Sequence, residues 1–86
     1  MIKVKELMGT RVEHDKEADA IYIYLSDDKY AYGRDIDNER RIDYNANDQP
    51  MGIELLCVSE GVILDDLPYP NEVAKILIDK HIKVYA

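Results

Sequence analysis

Hydrophobic and polar positions alternate most regularly in AIYIYL, residues 20–25. Period-2 alternation places Ile21, Ile23 and Leu25 on one side of a strand and Ala20, Tyr22 and Tyr24 on the other. Both sides are apolar, whereas a surface strand ordinarily greases only one. The pattern therefore predicts a cover on each face. Upstream, TRVEH carries Val12 and His14 in one parity, and DKEAD reads as a polar turn in which Asp15 and Asp19 bond their own backbone. Residues 1–9 alternate weakly at Ile2 and Val4 and break at Gly9, giving an N-terminal arm or an edge strand, with Met8 an alternative start to Met1.

Downstream, SDDK turns the chain into YAYGRDI, a second strand with Gly33 as a bulge. DNER turns it again. RIDY and MGIELLCV then form a β-hairpin around NANDQP, a turn rich in Asn, Asp and Pro. Ile42 and Tyr44 share one face of the first arm. On the returning arm Ile53, Leu55 and Cys57 share one parity, and Leu56 and Val58 the other. The spacing of Val73, Ile76 and Leu77, widened by Ala74 and Ile78, predicts one amphipathic helix over 71–81. It starts just after Pro68 and Pro70, with Asn71 as N-cap, Glu72 in the first turn, and Lys80 and His81 at the end that favours cations. IKVYA closes the chain as a short strand.

These elements predict one α+β domain over residues 1–86. Residues 10–64 form an antiparallel β-meander of five to six strands, 71–81 the C-terminal helix packed on one face, and 82–86 the last strand. One short helix covers only one face of such a sheet. The second face, led by Tyr22 and Tyr24, is expected to be covered by another copy of the chain or by a partner.

With 86 residues the chain suits one domain with a thin core, for which self-association is a common remedy. The single cysteine, Cys57, excludes an internal disulfide and reads as a buried, inert thiol. No stretch reaches the roughly 20 apolar residues of a membrane span, and no apolar segment follows the lysines of MIKVKEL, so a cytoplasmic location is expected. The net charge of −7 disfavours nucleic acid and anionic membranes as direct partners. It favours a basic protein or a cation.

VEHDKEADAIYIYLSD followed by RIDYNANDQPMGIELLCVSEG resembles the domain-of-unknown-function family DUF2283, a group of small prokaryotic proteins. Glu17, Ala18, Asp19, Ala20, Tyr22 and Ile23 fit its first motif, and Gly52, Ile53, Glu54 and Leu55 its second, over about Arg11 to Gly61. His14 stands where the family usually has Tyr, and Gln49-Pro50 replaces the usual glycine-containing turn. The resemblance implies a fold and no established activity. It also implies companionship with small basic toxin-like proteins, in keeping with the acidity.

HDKEAD gathers His14, Asp15, Glu17 and Asp19, the nearest approach to a metal site, but lacks the Asp-x-Asp-x-Asp-Gly calcium spacing and any second ligand cluster. His14 and His81 serve as general bases only if folding sets one beside a nucleophile or carboxylate. No nucleophile elbow, phosphate loop or dinucleotide fingerprint occurs. The acid pairs Asp65-Asp66 and Asp27-Asp28, with Asp43, read as solvated turns rather than a magnesium site. Seven Tyr with no Phe or Trp is a skewed aromatic set. Tyr22, Tyr24, Tyr30, Tyr32 and Tyr44 fall on predicted strands, and tyrosine is enriched at interfaces because it buries area while keeping a polar tip. The sequence thus favours a non-catalytic protein–protein interaction module without a cofactor. It would be a homodimer through those tyrosines and the antitoxin-like partner of a small basic protein. The alternative is a metal- or small-ligand-dependent enzyme built on the His14/Asp15/Glu17/Asp19 cluster.

Overall fold

The alternation that predicted strands produces them. The computed structural model describes residues 11–85, and in it Val12–Asp15 (β1), Ala20–Tyr24 (β2), Tyr32–Asp35 (β3), Arg40–Tyr44 (β4) and Pro50–Leu56 (β5) form one antiparallel sheet. Its order is β1-β2-β5-β4-β3. The run β3-β4-β5 is a meander, and the β1-β2 hairpin joins it by pairing Ile21 with Leu55 and Ile23 with Ile53. The expected arm or edge strand over residues 1–9 lies outside the described residues.

Local polar groups set the turns. The Asp15 carboxylate accepts the Ala18 N–H at 3.0 Å, closing the β1–β2 turn as expected. Between β4 and β5 the buried Asn45 accepts N–H bonds from Asn47 and Gln49 and donates to Asp28 at 2.9 Å. At the β3–β4 turn Asp37 accepts the Glu39 N–H at 2.9 Å, and this bond holds the Asp37 carboxyl below the usual carboxylate range. The bulge expected at Gly33 lies instead between Asp43 and Tyr44, where the β4–β5 register shifts; Gly33 pairs regularly with Asp43.

After β5 the sheet pattern stops. Cys57 adopts a left-handed conformation (φ 54°) and leads into a 3-10 turn at Val58–Glu60. That twist reverses the parity expected there: Val58 is buried with Ile53 and Leu55, while Cys57 is only partly covered. Partial burial still pushes the thiol's pKa up, with the charges of Glu39 and Glu60 adding to it. Val62–Ile63 (β6) and Val84–Tyr85 (β7) form a separate parallel pair, so the sheet expected over 10–64 is divided between two.

The helix (α1) spans Pro70–Asp79. Pro70, not Asn71, opens it, because proline's fixed φ suits the first helical position; the N-cap is Tyr69, in a left-handed conformation. Lys80 and His81 lie just beyond its last turn, and Ile78, expected to widen the apolar stripe, is 57% exposed. Val73 and Leu77 join Val62, Leu67 and Ile82 against Ile21, Ile23, Ile53 and Leu55 in one buried cluster. The core therefore sits between the inner sheet face and everything C-terminal to it.

Candidate interaction surface

The outer sheet face is lined by contacts within the chain, which leave Tyr22 and Tyr24 half-buried. Register places Glu13, Tyr22, Glu54 and Arg41 in one cross-strand row and Tyr24, Gly52, Asp43 and Gly33 in the next. Gly52 leaves room for the Tyr22 ring to cross it, so that the hydroxyl donates to the Asp43 carboxylate at 2.6 Å. Desolvation first, and then this bond to Asp43, push the Tyr22 pKa far above its ordinary value. The Arg41 guanidinium crosses Gly33 in the same way. It donates to Asp43 and Asp35 and to the Tyr30 hydroxyl, each at 3.2 Å. Tyr24 meets Tyr22 edge-on at 4.7 Å, lies under the Arg11 guanidinium and donates to Glu13. These contacts answer the pattern of two apolar faces: short residues on two strands let rings and a guanidinium lie flat over the second face.

The five tyrosines expected at an interface therefore divide. Tyr22 and Tyr24 sit on the outer face and Tyr30 reaches it through Arg41. Tyr32 and Tyr44 share the opposite face with Ile42, where their rings stack at 5.1 Å and Tyr32 donates to Asp48.

The HDKEAD residues are drawn apart. Asp15 closes its own turn and Glu17 is exposed, whereas Asp19 reaches across 40 positions of sequence. Its carboxylate accepts the Ser59 N–H at 2.9 Å and the Ser59 hydroxyl at 2.7 Å, and its carbonyl accepts the Val58 N–H. Asp19 thus ties the β1–β2 turn to the corner after β5, rather than bonding only its own turn as expected. Among the described residues no three His, Cys, Asp or Glu side chains are placed to hold a metal ion. His14 and His81 do line one cleft of about 310 Å³ with Lys16, Asp19 and Ser59. The hydroxyl there donates to Asp19, so neither histidine is placed to activate it.

A second surface was not visible in the sequence. Leu56 (38% exposed), Ile63 (47%) and Tyr85 (45%) line a groove of about 370 Å³. The Tyr85 ring is seated over Gly61, whose φ of 99° and lack of Cβ admit it. Asp37, Glu39 and Glu60 stand on the groove's wall, with Arg40 among them. That arginine is occupied: it pairs with Asp37 at 3.0 Å and donates to the carbonyls of Ile63 and Asp65, bolting β4 to β6 and the segment after it. The ion pairs among the described residues are Arg40–Asp37, Arg41–Asp35 and Arg41–Asp43, which leaves Glu39, Glu54 and Glu60 without one. Chemically the groove is an apolar seat beside unneutralised carboxylates. The alternation of MGIELLCV gives one clue to it: Leu56 is apolar in the outward parity.

Residues 11–59 match the family described as protein of unknown function (DUF2283), more than half of the chain. The chain belongs to the DUF2283 family. No curated protein matches it, and no solved structure does. The DUF2283 span covers the five-stranded sheet and its tie to the 3-10 turn. Within it, Asp19 secures Ser59 and Gly52 receives Tyr22, so these motif positions carry fold geometry. The groove lies on the seam, with Glu39, Arg40 and Leu56 inside the DUF2283 span and Ile63 and Tyr85 beyond it.

Proposed function

We propose that this protein is a non-catalytic interaction module whose partner is a basic protein, held in the groove between β4–β5 and β6–β7. The observation that carries the reading is the coincidence of three exposed apolar side chains, Leu56, Ile63 and Tyr85, with the carboxylates of Glu39 and Glu60, which have no ion pair among the described residues. An exposed apolar group beside charged ones is how interaction sites on small acidic proteins combine affinity with selection by charge. The net charge of −7 extends the same preference over the whole surface and speeds encounter with a basic partner. The outer-face tyrosines are the weaker candidates for a contact, because Tyr22 and Tyr24 spend their hydroxyls on the chain's own carboxylates.

The test is co-expression with a small basic protein encoded beside this one. A complex is expected to co-purify at about 0.05 M salt, to weaken as salt shortens the screening length, and to be lost in Glu39→Lys/Glu60→Lys. A complex that ignores both salt and these substitutions refutes the reading. So does the lack of any complex at low salt.

A further inference from the structure

We propose that the groove reads a two-part signature on its partner: an aliphatic or aromatic side chain and an arginine, presented two residues apart by one extended segment. This rests on the proposed function and specifies its chemistry. The groove has two lobes that share Asp37, Glu39, Arg40 and Leu56. The wider, of about 370 Å³, ends on Ile63 and Tyr85 and seats the apolar group. The narrower, of about 140 Å³, continues past Leu56 over the outer sheet face to Asp35 and Glu54.

Four carboxylates line the narrow lobe: Asp35, Asp37, Glu39 and Glu54. Two arginines stand there as well, but their donors are turned to the protein itself. Arg40 serves Asp37 and two main-chain carbonyls; Arg41 serves Asp35, Asp43 and Tyr30. Glu39 and Glu54 keep negative charge that no ion pair among the described residues offsets. A guanidinium suits this lobe better than an ammonium. It is more weakly hydrated, it is flat, and its fork of donors can engage two carboxylates at once, while its aliphatic stem rests on Leu56. In an extended chain, residues i and i+2 point the same way, roughly 6.5–7 Å apart. Two lobes with a common wall at Leu56 and Glu39 adjoin each other, so a single extended segment can present one side chain to each, and i/i+2 is the shortest same-side spacing it offers.

The experiment is an amide NMR titration of the ¹⁵N-labelled chain with the capped peptide Gly-Leu-Ser-Arg-Gly. Three parallel peptides replace Arg by citrulline, Arg by Lys, or Leu by Gly. Saturable shifts are expected at Glu39, Glu54, Leu56 and Ile63. Binding should fall at least fivefold with citrulline or with Gly, fall less with Lys, and fall again in Glu39→Gln/Glu54→Gln. The signature is overturned if the citrulline peptide binds as well, if the shifts scatter over the acidic surface, or if no peptide binds. Should the basic partner still bind, and be released by Glu39→Lys/Glu60→Lys, the interaction reading stands without the signature. If the partner ignores those substitutions, both fall.

Discussion

Gly52→Ala is the substitution that most directly probes how the outer face is built. Gly52 lies within β5 and has no positive φ, so its backbone suits alanine. By propensity alone the change would stabilise the strand by about 0.5–1 kcal/mol. The added methyl, however, meets the Tyr22 ring, with its hydroxyl oxygen, Cζ and Cε2 all within 3 Å of the new carbon. The ring must swing away, losing its 2.6 Å bond to Asp43 and its edge contact with Tyr24. A hydrogen bond to a charged group contributes about 1.5–3 kcal/mol, and the half-exposed setting argues for the low end. The aromatic contact adds about 1 kcal/mol. The net expectation is a loss of about 2 kcal/mol, or roughly 10 °C in Tm for a domain of this size. In a Tyr22→Ala background the same methyl meets no ring, and the propensity gain should emerge as neutral to about 1 kcal/mol stabilising. Urea denaturation of the four proteins in this cycle should therefore give a coupling of about 2–3 kcal/mol. Equal costs in both backgrounds would refute the packing argument. Gly33→Ala is the internal control: there the methyl meets the far end of the flexible Arg41 side chain, and the cost should stay below about 1 kcal/mol.

The Tyr22 hydroxyl also predicts a pH dependence. Its folded pKa lies above the unfolded value of about 10, so its contribution is complete below pH 10 and is lost as pH rises beyond it. Wild-type stability measured at pH 8, 10 and 11 should fall more steeply than that of Tyr22→Phe; parallel curves would contradict the bond to Asp43. Asp19→Ala should cost about 1 kcal/mol through the loss of two exposed bonds from Ser59, with a smaller loss in Ser59→Ala. If calorimetry instead shows a metal affinity lost with Asp19 at unchanged stability, the tie is not the residue's role. Arg40→Ala should destabilise by about 1–2 kcal/mol, since it removes the bonds to Asp37 and two carbonyls together with a mostly covered side chain. Arg41→Ala, whose side chain is 36% exposed, should cost less than about 1 kcal/mol, and the reverse order in thermal denaturation would overturn the bolt assigned to Arg40.

Features that depend on one short stretch were legible in the sequence. The alternation of Ala20–Tyr24, the shared face of Ile42 and Tyr44, the Asn-rich hairpin and the stripe of Val73 and Leu77 all appear where periodicity puts them. What escaped it rests on pairs of distant residues or on a single dihedral. The Asp19–Ser59 tie spans 40 positions, and no local pattern links those two residues. Gly33 reads as a bulge and Gly52 only as a motif position, because their use becomes visible only once a neighbouring side chain lies over them. The left-handed turn at Cys57 exchanges its place with that of Val58, which parity counting cannot foresee for a residue other than glycine. The groove combines these obstacles, since it needs the β4–β5 pairing, the turn after Cys57 and the parallel β6–β7 ribbon at once.

The core's division between the sheet and the C-terminal segment also dictates the order of events during synthesis. Ile21, Ile23, Ile53 and Leu55 are made first, yet Val73, Leu77 and Ile82 are the groups that shield them. A nascent chain that has emerged only through β5 has the strands of the sheet but nothing to cover their inner face. It cannot complete its fold until the ribosome has released the residues of α1 and those just after it. In that interval the apolar strands are open to mispairing and aggregation, so folding should depend on chaperone attendance, or on rapid synthesis through Ile82.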